Sequence, residues 1–198
     1  HETGDIKMVE LELVRQEIET FSRLKPSVDE DVTGIIDSFL ERFEIGALKD
    51  ALRYWFDRTV RKRNVDEQVL YMIKEPVVFA VDYSAIVYAG GPEEVVRQLE
   101  GTPYRQTVEE TIPEALTAGS LFETECGLEN LYFERLFEKI ARLKGRDREI
   151  AGRIIGIQVD MENITRLSRL VRFYGDGAAG GDIFISGGKS IGIGELKK

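Results

Sequence analysis

Apolar residues recur in this chain at steps of three and four, and that rhythm limits what it can fold into more than any other feature. From Val9, the positions Leu11, Val14, Ile18, Phe21 and Leu24 follow it, with mostly charged residues between them. A helix of about 3.6 residues per turn gathers such positions on one face. Pro26 ends this first helix, and Ser27 and Asp29 offer N-caps for the next. Ile35, Ile36, Phe39, Leu40 and Phe43 make a second stripe, continued by Leu48, Leu52, Trp55 and Phe56, with Gly46 expected as a kink or break. The basic tract Arg58, Arg61, Lys62 and Arg63 comes next and is expected to be a solvated loop.

Between Tyr71 and Asp82 the rhythm fails. Pro76 precludes a long helix there, and Val77 to Val81 reads either as a short strand or as a buried connecting segment. Asp82 or Ser84 is placed to cap a short helix running to Ala89, which Gly90 and Gly91 stop. Pro92 then opens another, with Val95, Val96 and Leu99 as its apolar face and Gly101 at its end. In the second half, Leu128, Leu131, Tyr132, Leu136, Ile140 and Leu143 predict a helix terminated at Gly145. Ile150 to Tyr174 predicts a long one closed by Gly175, with Ile154, Ile155, Ile157, Ile164, Leu167, Leu170 and Val171 on its inner side. The expected fold class is all-α.

The two halves are related. With Phe43-Glu44-Ile45-Gly46-Ala47-Leu48 laid over Val159-Asp160-Met161-Glu162-Asn163-Ile164, Glu44 meets Asp160 at an offset of 116, Leu48 meets Ile164 and Arg53 meets Arg169. An acidic residue, an aliphatic four on and an Arg nine on thus occur twice, each time after a helix and before an irregular apolar segment. This points to an internal repeat.

Composition removes several chemistries. One Cys, Cys126, has no partner for a disulfide within the chain, and with one His it leaves the usual zinc fingers and ribbons without ligands. A triad would have to use His1, the first residue of the sequence. The net charge of -9 argues against general nucleic-acid binding, which draws its affinity from Lys and Arg, and suits a basic partner. No apolar run approaches the roughly 20 residues of a membrane span, and the first residues lack the apolar core of a signal peptide, so the expected compartment is the cytosol. The first Met is Met8. Either residues 1–7 are an addition ahead of it or the chain is a piece of something longer.

Three motifs fail on context. Gly175-Asp176-Gly177-Ala178-Ala179-Gly180 spells a dinucleotide fingerprint, but a helix precedes it where a strand is needed. Gly188-Lys189-Ser190 ends like a phosphate-binding loop, yet Ile183 stands where the first Gly belongs. Glu129 to Glu134 resembles a tag-protease site, but Glu134 replaces the required Gln and the segment lies on a helical stripe. No cofactor is expected. Asp160 and Asn163, at i and i+3, share a helix side; they read as a cap or kink, or as a polar inner face for a partner helix. Paired carboxylates such as Glu93-Glu94 and Glu109-Glu110 read as solvated faces.

These residues resemble a known family, the C (also called d) subunit of V-type and archaeal-type rotary ATPases. Its recurrent element is a hydrophobic helix, D-x-x-N-[IL], an Arg, a Gly and a turn with paired Gly. Asp160-Met161-Glu162-Asn163-Ile164 with Arg169 and Gly175 is similar to it, and Ile185-Ser186-Gly187-Gly188 is similar to the turn. Leu128 to Leu136 resembles the preceding helix, and Glu93 to Tyr104 an earlier segment ending T-x-Y. The likeness runs from about Ile35 to Leu196. The first copy departs from it, with Glu44 and Ala47 in place of Asp and Asn and no Gly after Arg53.

The resemblance implies three helical units about a pseudo-threefold axis, forming a funnel, of which about two are present here. Residues 1–103 would be the first and 104–198 the second, incomplete at its end because Lys198 meets Asp82 in the overlay. The chain is therefore expected to be a truncated piece. The resemblance further implies a non-catalytic socket, peripheral on the cytoplasmic side of the membrane, that couples a central shaft to a membrane rotor ring. Asp160, Asn163, Arg169, Arg53 and Glu44 are candidate partner contacts, with Gly187 and Gly188 shaping a turn. The alternatives are a soluble helical-repeat adaptor binding a partner helix, and an enzyme using Asp160 with a neighbouring Glu as acid and base.

Overall fold

The computed structural model describes residues 5–173 and 183–196. All regular structure among them is helical: α1 (Ile6–Leu24), α2 (Glu30–Thr59), α3 (Asp66–Val69), α4 (Tyr83–Tyr88), α5 (Pro92–Arg97), α6 (Arg105–Ala118), α7 (Phe122–Arg142), α8 (Gly145–Phe173) and α9 (Ile193–Leu196). No described helix is long and apolar enough to cross a membrane. Gly175 and the Gly175 to Gly180 motif lie outside the described residues, as does His1.

Capping follows the sequence closely. Asp5 accepts from Lys7 N–H to start α1, Asp29 from Val32 N–H to start α2, and Asp82 from Ala85 N–H to start α4. Each satisfies one of the amides that a helix N-terminus leaves unpaired. Pro92 sits in the first turn of α5, where its missing N–H is harmless. Gly119 closes α6 in the left-handed conformation at φ 69°, and Gly145 takes φ 54° where α7 gives way to α8.

Two expectations fail here, the break at Gly46 and the loop at Arg58. Gly46 neither kinks nor breaks α2, which runs unbroken from Glu30 to Thr59. It borders a cavity of about 680 Å³ lined by Leu11, Val14, Ala47, Asp50 and Tyr54. A single helical Gly costs only about 1 kcal/mol, which buried neighbours such as Leu48, Ala51 and Trp55 outweigh. Of the two readings of Val77 to Val81, the connecting segment is the one observed, and it has no regular structure. Arg58, read as part of a loop, lies in α2 and donates to the carbonyls of Val87 and Ala89, closing the end of α4.

Packing divides the chain into two units, residues 1–128 and 129–198. In the first, α1 and α4 pack along α2. Phe21 sets its ring 5.7 Å from Phe39 and 6.4 Å from Phe43. Trp55, Leu48 and Ala51 on α2 are fully buried, as are Tyr83, Ile86 and Val87 around α4. Burial of each large apolar side chain contributes about 1.5–3 kcal/mol.

The second unit holds most of α7, α8, the described segment from Ile183 and α9. Ile155, Val159 and Leu170 are buried along α8, whereas Ile154, Ile157, Ile164 and Val171, expected on the same inner side, are exposed. Apolar residues on α8 lie on two sides, and only one is covered. Shifted by 116 residues, α1 falls on 122–140 and α2 on 146–175, against Phe122–Arg142 for α7 and Gly145–Phe173 for α8.

Candidate functional site

Three of the polar residues singled out by the sequence, Glu44, Asp160 and Asn163, lie near the middle of the two long helices, where they hold the segment that follows. On α8, Asp160 accepts from Ser190 N–H at 2.7 Å and from Ile191 N–H at 3.2 Å. One turn on, Asn163 is fully buried and binds Ile185 twice, donating Nδ2–H to its carbonyl at 2.9 Å and accepting its N–H at 2.8 Å. An irregular segment carries backbone amides with no helical partner, and burying them unpaired is costly. A carboxylate offers only acceptors and a side-chain amide offers both kinds, so Asp160 suits two successive N–H groups and Asn163 one whole peptide unit.

The turn glycines belong to the same arrangement. Gly187 adopts φ 95°, and a Cβ there would lie 2.8 Å from the Phe137 ring. A Cβ on Gly188 would collide with the Asp160 carboxylate and lie 2.9 Å from the Ile191 carbonyl. The paired glycines therefore let the backbone approach Asp160 closely enough to be held.

Arg166 completes the cluster, and sequence reasoning missed it. It is only 1% exposed, donates to Asn130 Oδ1 at 2.6 Å and Glu129 Oε2 at 2.8 Å, and binds the Ile183 carbonyl. A guanidinium this deep requires several acceptors in a fixed fork, which these supply. Its one sequence signal is its place three residues after Asn163, on the same side of the helix.

On α2, Glu44 does the same work as Asp160. Its Oε2 accepts from Val78 N–H at 2.7 Å and Phe79 N–H at 2.8 Å, and its Oε1 from the Tyr104 hydroxyl at 2.8 Å. Burial pushes its carboxyl above the ordinary value, and these hydrogen bonds partly offset the rise. Burial, together with the nearby Glu44 charge, holds Tyr83 and Tyr104 protonated. Ala47, the overlay partner of Asn163, has no polar side chain, so the first unit lacks the second hold.

The two remaining candidates lie apart from these clusters. Arg53 is exposed, donating to Glu125 at 2.7 Å and Asp50 at 3.0 Å. Burial raises the Asp50 carboxyl, and the Arg53 guanidinium works against the rise. Arg169 is exposed on α8. Among the described residues, no group of three or more His, Cys, Asp or Glu is arranged to hold a metal.

These features define a class: an all-helical protein whose buried polar side chains bind its own connecting segments. The chain belongs to the ATP synthase (C/AC39) subunit family, which it matches over residues 2–198. It is similar to the A-type ATP synthase C subunit of Methanosphaera stadtmanae, 25% identical over 152 residues, covering 76% of this chain and 38% of the relative. That of Methanosarcina mazei is 22% identical over 151 residues, covering 76% and 39%. That of Methanococcoides burtonii is 21% identical over 180 residues, covering 90% and 48%. The chain thus spans less than half the length of these curated relatives. No solved structure matches it.

Proposed function

We propose that this chain is part of a non-catalytic central-rotor subunit of an A/V-type rotary ATPase. On this reading it is a socket, peripheral on the cytoplasmic side of the membrane, joining the central shaft to the membrane rotor ring. It passes torque between ATP chemistry and the transport of protons or sodium ions. The observation that carries the reading is the family match along residues 2–198. The relatives, named as C subunits of A-type ATP synthases, support the archaeal-type form.

A part that transmits torque has to resist deformation. Asp160, Asn163 and Arg166 tie the segment 183–191 to the middle of a 29-residue helix, and Glu44 ties Val78 and Phe79 to the middle of a 30-residue one. In this proposal those buried residues shape the socket, while exposed Arg53 and Arg169 offer charge to partner subunits, setting orientation more than affinity. The three-unit funnel belongs to the same proposal. The test is recovery of the tagged full-length subunit from membranes. Rotor-ring and shaft subunits should come with it, in smaller yield for Arg169→Glu; recovery of the tagged subunit alone would overturn the reading.

A further inference from the structure

The turn between α7 and α8 has a sign opposite to that of the whole chain. Residues 142–153 hold five Lys or Arg and two Asp or Glu, in a protein of net charge -9. Arg142, Lys144, Arg146, Arg148 and Arg153 are all exposed. Only Leu143 and Lys144 separate the two helices, and Arg166 on α8 reaches back to Glu129 and Asn130 on α7, so the five cations sit at the end of a helical hairpin. At 1.5 Å per residue they lie within about 12 Å of the turn along the helix axes.

None of these five makes an ion pair among the described residues. Elsewhere exposed arginines are matched: Arg15 with Glu75, Arg23 with Glu19, Arg61 with Asp57 and Arg105 with Glu109. Folding does not call for the cluster either. The connection between α1 and α2 joins two helices of similar kind, and residues 26–37 there hold four Asp or Glu and no Lys or Arg. Like charges crowded at one end repel one another, so their presence points outward.

We propose that the α7–α8 turn is a contact site for an anionic lipid surface. No neighbouring group holds these cations in a fixed fork, so they fit a surface of many charges better than one bound phosphate or carboxylate. Residues 142–153 contain no aromatic side chain on which a base could stack. Arg146, Ile150 and Arg153, at steps of four and three, share one side of α8, and Ile150 is 45% exposed between the two arginines. A bilayer interface takes an apolar side chain among cations, and each Lys or Arg adds to the attraction. The acidic remainder of the chain does not cancel it, because salt screens charges beyond about 10 Å.

The test uses the full-length protein and vesicles of phosphatidylcholine, alone or with about one-third phosphatidylglycerol. The protein should sediment with the anionic vesicles, remain in solution with the neutral ones, and be released as salt is raised. Arg146→Glu and Arg148→Glu should each weaken binding about tenfold or more. Arg172→Glu makes the same change in charge about 39 Å along α8 from Arg146 and should leave binding nearly unaltered. Matching melts show that the variants are folded. Equal binding to both vesicles, or binding that Arg146→Glu and Arg148→Glu leave unchanged, overturns the proposal. So does tighter binding to polyglutamate than to the anionic vesicles at equal charge, which would make an acidic polypeptide the partner. The vesicles carry no rotor or shaft subunit, so failure here leaves the rotor reading standing.

Discussion

Helices α2 and α8 are nearly equal in length, fall at the same place in the overlay, and use a mid-helix carboxylate for the same task. They differ in what their outer sides meet. Leu48 on α2 is buried, and its counterpart Ile164 on α8 is half exposed. They differ also in polar chemistry: α2 holds its connecting segment with one carboxylate, whereas α8 uses a carboxylate, an amide and a buried guanidinium. The comparison teaches that an apolar stripe draws its stabilisation from what lies over it, and that the polar holds of α8 sit on its buried side, apart from the stripe left open.

The largest effect is expected from Arg166→Met. It leaves Glu129, Asn130 and the Ile183 carbonyl without their shared donor, and breaking such a buried pair costs about 3–5 kcal/mol. Urea unfolding followed by hydrogen exchange should place the loss in residues 129–198. An unchanged midpoint would mean that α8 does not depend on its polar holds.

The paired truncations Leu48→Ala and Ile164→Ala test the difference in cover directly. Leu48→Ala opens a cavity in a closed core and should cost about 3 kcal/mol, whereas Ile164→Ala in this 198-residue chain should stay within about 0.5–1 kcal/mol. Equal losses by thermal or urea melts would show that both sides are covered. Next comes Asn163→Ala, which gives α8 the residue that α2 carries at Ala47. It strips two hydrogen bonds from the Ile185 peptide and should cost about 2 kcal/mol by the same melts.

The smallest effect is on pH dependence. Burial raises the folded-state pKa of Glu44 above 4.5, so the folded chain keeps this proton after the unfolded chain has released it. The stability from this group is full below about pH 4.5 and is lost as pH rises through the folded-state value. Glu44→Gln should flatten that decline in a series of melts across the interval, and an unaltered slope would assign the dependence to other groups.

The sequence made the long helices legible because period and caps agree: Asp5, Asp29, Asp82 and Pro92 stand where helices begin. It also singled out Asp160, Asn163, Glu44 and the glycine pair. What those residues grip was hidden, because the Ser190, Ile191, Ile185, Val78 and Phe79 amides lie 22 to 35 residues away along the chain. Arg166 was passed over because a buried cation looks like a surface one until Glu129 and Ile183 are seen beside it. Ile154, Ile157, Ile164 and Val171 were misplaced because periodicity reveals an apolar side without revealing whether anything covers it. Gly46 was misread because local propensity yields to packing.

The claim that this protein couples rather than catalyses is most directly tested in membranes from cells lacking its gene. ATP hydrolysis by the catalytic part should persist while ATP-driven ion transport is lost, and the full-length protein should restore transport. Transport that survives without the protein, or hydrolysis that disappears with it, would contradict the account.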